Sequence, residues 1–107
     1  MDLDLAEIDP GVRRLVALLN ERGFNTTDSG DGVSKDPEAR WIEHPHVFIR
    51  CESPEHMIAQ SYRVVDVLTE VGVRWDGAAN VEATWSPVDG VAIIMVTHVS
   101  DADLGGE

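Results

Sequence analysis

A chain of 107 residues, 43% hydrophobic and 26% charged, is one domain's worth of ordinary globular sequence, with no room for a second core. Its formal net charge of −12, from 20 acids against 8 bases, argues against direct nucleic-acid binding, which needs clustered Lys and Arg. No apolar run approaches the roughly 20 residues of a membrane helix, no signal-peptide pattern opens the chain, and the lone Cys51 has no intrachain disulfide partner, so the expected compartment is the cytoplasm.

The acids are unevenly spread. Seven of them lie in residues 1–9 and 100–107, while residues 10–99 hold thirteen acids against eight bases. The expected organisation is therefore an acidic N-terminal extension over 1–9, a single domain over 10–99, and an acidic, flexible tail over 100–107. The body alone is near −5 (13 acids less 8 bases), within the roughly 2 to 8 charges that keep a small domain soluble.

Asp9-Pro10 reads as an N-cap and first helical residue, and Val12, Leu15, Val16, Leu18 and Leu19 follow at helical spacing, with Gly23 as a stop. Phe24 to Thr27 reads as a short strand and residues 28–40 as a loop. The alternation in "EHPHVFIRCE" predicts a second strand, with Val47, Ile49 and Cys51 on one face and His46, Phe48 and Arg50 on the other. Pro45 fits the start of that strand or an edge. Ser53, Pro54 and Gly72 bound a second helix whose buried stripe is expected to be Met57, Ile58, Val64, Val65, Leu68 and Val71. "VEATW" alternates Val81, Ala83 and Trp85 against Glu82 and Thr84, "SPVDG" is a hairpin turn, and "VAIIMVTHV" reads as an inner strand.

The order is αββαββ, which resembles a duplicated αββ unit. Amphipathic helices need a covering layer, so the expected fold is an α+β two-layer sandwich: a four-stranded antiparallel sheet with two helices on one face. The uncovered face should carry Glu82, Thr84, His46, Phe48 and Arg50. If Trp41 or Trp75 is exposed there too, a homodimer through the sheet is expected.

Within "NTTDSGDG", Asp28, Ser29, Gly30, Asp31 and Gly32 form a polar, glycine-rich loop whose N–H groups can turn toward an anion or a sugar hydroxyl. The window lacks the GK[ST] ending of a phosphate loop and the distal glutamate of a calcium loop. It reads either as a plain turn or as the lip of a pocket. Arg50 beside it, with Arg40 and Arg74 as further candidates, offers the planar fork that phosphate prefers. Asp28, Ser29, Asp31, His46 and Arg50, with Phe48 or Trp85 as a stacking wall, would suit a nucleotide-like ligand; taken alone, Arg50 reads first as a solvated residue paired with Glu82.

His44 and His46, two residues apart on an extended backbone, with Asp28 or Asp31, are a candidate set for a divalent metal such as zinc. They also read as solvated edge histidines, and no cofactor is otherwise expected. His98 reads as a core or rim histidine, His56 as solvent-facing in the first turn of the second helix, and Cys51 as core, with a Cys51–His98 pair as a remote alternative.

The segments "GFNTTDSGDG", "HPHV" and "VEATWSPVDGVAIIMVT" resemble small uncharacterised proteins encoded by bacteriophages of actinobacteria. The resemblance implies an accessory protein of the bacterial host cytoplasm that interferes with host defence or metabolism, and it carries no activity to transfer. "EHPH" also resembles the histidine-proline signature of pterin carbinolamine dehydratases, but the adjacent histidine pair is absent, so that activity is not carried over. Three functions follow as expectations: a non-enzymatic module binding an anionic or nucleotide-like small ligand, a metal-dependent hydrolase using His44, His46 and Asp28 or Asp31, and an acidic protein blocking a basic groove of a host protein.

Overall fold

The computed structural model describes residues 8–30 and 44–105. After a 3-10 turn at Pro10–Val12, the elements are α1 (Arg13–Glu21), β1 (Thr26–Gly30), β2 (His46–Cys51), α2 (Pro54–Glu70), β3 (Asn80–Ser86) and β4 (Val91–Thr97), with a second 3-10 turn at Asp101–Asp103. The strands form one antiparallel sheet in the order β1-β2-β4-β3. This is the expected α+β sandwich in the expected αββαββ order.

Alternation sets the two faces of the sheet. Val47, Ile49 and Cys51 on β2 pair with Val96, Ile94 and Ala92 on β4. All six are buried in one core with Leu15, Val16 and Leu19 of α1 and Met57, Val64, Val67 and Leu68 of α2, so both helices cover that face. The opposite face carries His46, Phe48 and Arg50 beside Thr97, Met95 and Ile93, with Asn80, Glu82 and Thr84 beyond them.

Both helices end in the same way. Phe24 N–H donates to Leu19 O at 2.9 Å and Gly23 N–H to Asn20 O at 3.1 Å; Val73 N–H donates to Leu68 O at 2.9 Å and Gly72 N–H to Thr69 O at 3.1 Å. Gly23 and Gly72 have φ of 92° and 103°. These are paired Schellman closures, in which glycine takes the left-handed position and the following apolar residue folds back onto the helix.

The helix starts differ. α2 begins as its sequence predicts, with Ser53 Oγ accepting from His56 N–H at 3.1 Å and Pro54 in the first turn. For α1, Asp9 makes no side-chain cap; the Asp101 carboxylate instead accepts from Arg14 N–H and Leu15 N–H, both at 2.8 Å. The expected free tail is thus a tie for residues 100–105. Asp101 caps α1, Leu104 packs against the core, and Gly105 N–H donates to Val71 O at 2.6 Å.

Two further expectations shift. β1 runs over Thr26–Gly30 rather than Phe24–Thr27, because pairing with β2 decides where the strand lies; Phe24 is buried in the core instead. On α2, Ile58 is 56% exposed, whereas Val67 is buried. Positions 57, 64 and 68 set the angle of the inward stripe, and Val67 falls within it while Ile58 does not.

Candidate functional site on the uncovered sheet face

β1 and β2 pair as a hairpin, which sets Asp28 opposite Phe48, Ser29 opposite Val47 and Gly30 opposite His46. Asp28, Ser29 and Gly30 are therefore strand residues and not part of a loop. Their backbone is engaged in a ladder rather than curled around an anion, and the Asp28 carboxylate accepts from Ser29 N–H at 3.0 Å. Asp31, Gly32, Arg40 and Trp41 lie outside the described residues. Asp28 and Phe48, as a directly opposed pair, point to the same side of the sheet.

At the Gly30 end three imidazoles gather. His46, only 7% exposed, donates its Nδ1–H to His44 O at 3.1 Å; a carbonyl can only accept, so the proton sits on Nδ1. Its ring lies against Gly30, where an added Cβ would fall 2.6 Å from His46 Cε1, which explains why this rung carries glycine. His44 stacks on His98 with ring centroids 4.3 Å apart and meets His46 edge-on at 6.3 Å. His98, exposed and just past β4, has φ of 60°, a left-handed conformation that histidine adopts more readily than most residues. Its N–H donates to Pro45 O at 2.8 Å.

The expected metal set is only partly assembled. His44 and His46 are neighbours, but Asp28 sits on the rung of Phe48, two residues along β2. Among the described residues no group of three or more His, Cys, Asp or Glu side chains is disposed to hold a metal ion. Cys51 is buried at the other end of the sheet, paired with Ala92, six residues from His98 along β4, so the two cannot meet. Burial pushes the Cys51 thiol above its ordinary value, away from thiolate chemistry.

A shallow cavity of about 240 Å³ opens on the uncovered face, lined by Phe48, Thr84, Ser86, Asp89, Val91, Ile93 and Met95. Phe48 and Met95 oppose one another, and Arg50 opposes Ile93 one step along on the same face. Trp85 pairs with Ala92, on the helix-covered side, so it forms no wall with Phe48; it is 49% exposed. Arg50 and Glu82 are not adjacent either, because β4 lies between their strands.

Beyond Arg50 a second, polar cleft of about 260 Å³ is lined by Gly23, Asn25, Ile49, Arg50, Glu52, His56 and Gln60. His56 is exposed as expected, with Gln60 Nε2 3.2 Å from its Nε2, and Gln60 Oε1 is buried with no hydrogen-bond partner among the described residues. Arg50 thus stands between an apolar groove and a polar cleft. Arg74, in the turn after α2, belongs to neither. None of the described helices is long and apolar enough to cross a membrane.

Sequence reasoning identified Phe48 and Arg50 but missed Val91, Ile93 and Met95. The available signal was parity: β4 is apolar from Val91 to Val96, yet both helices were expected on one face. Comparison with protein-family models, curated proteins and solved structures gives no match, so the architecture and the chemistry of this face carry the functional argument.

Proposed function

We propose that the protein is a non-enzymatic binding module that holds a nucleotide-like, anionic small ligand on its uncovered sheet face. The observation that supports this reading is the cavity lined by Phe48, Val91, Ile93 and Met95, with Arg50 one step along the same face. A flat base lies against the Phe48 ring and the Met95 thioether. Thr84, Ser86 and Asp89 rim the cavity and offer hydroxyl and carboxylate partners for a sugar, as Asp28 does from the rung of Phe48. The Arg50 guanidinium is the fork for a phosphate. In the setting implied by the resemblance to phage proteins, such a module would sequester a host nucleotide or nucleotide-like signal in the cytoplasm.

The test is a titration of the full chain with adenosine monophosphate and with adenosine, followed by NMR. Both compounds are expected to shift resonances of Phe48 and Met95. Phe48→Ala should abolish both responses, whereas Arg50→Ala should weaken the monophosphate and leave the nucleoside unchanged. No shift at Phe48, Ile93 or Met95 with either compound would remove the nucleotide reading. Catalytic turnover of the nucleotide that a chelator stops would replace it with the hydrolase reading.

A further inference from the structure

The two edges of the sheet are not alike. β1 is five residues long, its register with β2 slips between Thr26 and Asp28, and His46 and Asp9 crowd the face of Gly30. Bulges and covered ends are how natural sheets keep an edge from pairing. β3 has none of these features. It is seven residues long, pairs with β4 in unbroken register from Asn80 to Ser86, contains no proline or lysine, and is exposed over most of its length. Among the described residues no strand pairs with its outer side, which is a row of backbone donors and acceptors.

We propose that β3 is the contact edge of a homodimer, in which two copies pair β3 to β3 antiparallel about a two-fold axis at Ala83. This rests on the edge alone and not on the ligand reading. The second copy is the occupant because the strand complements itself. Side chains alternate with period two, so only registers that keep like faces together are open, and those pairing at least five residues centre on Glu82, Ala83 or Thr84. Centring on Glu82 sets that carboxylate against its own copy. Centring on Thr84 shortens the ladder.

Centring on Ala83 pairs all seven residues. Asn80 then faces Ser86, Val81 faces Trp85, and Glu82 faces Thr84, each twice. The half-exposed Trp85 gains an apolar partner. Glu82, the strand's only charge, already accepting from Asn80 at 3.0 Å, gains a hydroxyl. An axis perpendicular to the sheet keeps the helices of both copies on one side and both apolar grooves on the other, in a continuous eight-stranded sheet.

The register makes the test specific. By sedimentation equilibrium of the full chain, the wild type is expected to be a dimer in reversible exchange with monomer. Thr84→Lys creates two opposite-charge cross-strand pairs and should tighten the dimer by roughly two- to thirty-fold. Thr84→Glu places two carboxylates against Glu82 and should loosen it by a similar factor. The exchange variant Glu82→Lys with Thr84→Glu restores two opposite-charge pairs and should associate as tightly as Thr84→Lys. Thr84 is exposed, and a thermal melt by circular dichroism checks that each variant is folded. A monomer at every concentration overturns the proposal. A dimer indifferent to all three variants places the interface elsewhere, and one that responds to Thr84→Lys and Thr84→Glu alike overturns the register.

Discussion

The two αββ halves close their helices identically and open them differently. "LNERGF" in the first half and "LTEVGV" in the second both end in a glycine with positive φ and the same two backbone hydrogen bonds. α2 carries its own cap in Ser53, whereas α1 takes its cap from Asp101, 86 and 87 residues further along the chain. The lesson is that a helix stop here is a local property of six residues, while a helix start can be delegated to a distant part of the fold.

If the halves are equivalent where they match, Leu19→Ala and Leu68→Ala should cost about the same, each about 2 to 5 kcal/mol, since both leucines are fully buried. Urea unfolding measures both; a much smaller loss at Leu19 would show that the first half is not integral to the core. Gly23→Ala and Gly72→Ala come next, at about 1 to 2 kcal/mol for the left-handed backbone alone. Gly72→Ala should be the more costly. An added Cβ there meets the backbone of Gly105 at 3.0 Å, whereas Gly23 has nothing within 4 Å.

The caps test where the halves differ. Ser53→Ala and Asp101→Ala should each lose about 0.5 to 2 kcal/mol. Asp101→Ala is expected at the upper end because one carboxylate serves two N–H groups. Hydrogen exchange separates them further, with faster exchange expected at Arg14 and Leu15 only in Asp101→Ala. The smallest effect is expected where the halves touch through charge. Arg22 and Glu70 form an exposed ion pair at 3.0 Å, so Glu70→Gln should change stability by about 1 kcal/mol or less. A larger loss would mean that the pair holds the helix ends together.

How much was legible in the sequence follows the same division between local and distant causes. α2 could be read end to end, because Ser53, Pro54 and Gly72 act within a few residues of the backbone they shape. The layout of β2 was legible from alternation, which set Phe48 and Arg50 apart from Val47, Ile49 and Cys51. β1 was misplaced because its pairing with β2, rather than its own propensity, sets where it runs. The groove eluded the sequence because Val91, Ile93 and Met95 look like a strand buried on both sides. Only the placement of both helices on one face shows that the other side is open. That Asp28 falls on the rung of Phe48 rather than that of His46 could not be read from the sequence, because only the pairing register of β1 with β2 discloses it.

The delegated cap also has a consequence for the order of events during synthesis. A chain emerging from the ribosome presents the α1 segment early and Asp101 late, so the two N–H groups at Arg14 and Leu15 wait for nearly the whole domain before they find their carboxylate. α1 is therefore made first and capped last. Until then the turn that leads to the buried Leu15, Val16 and Leu19 lacks the cap it has in the finished domain.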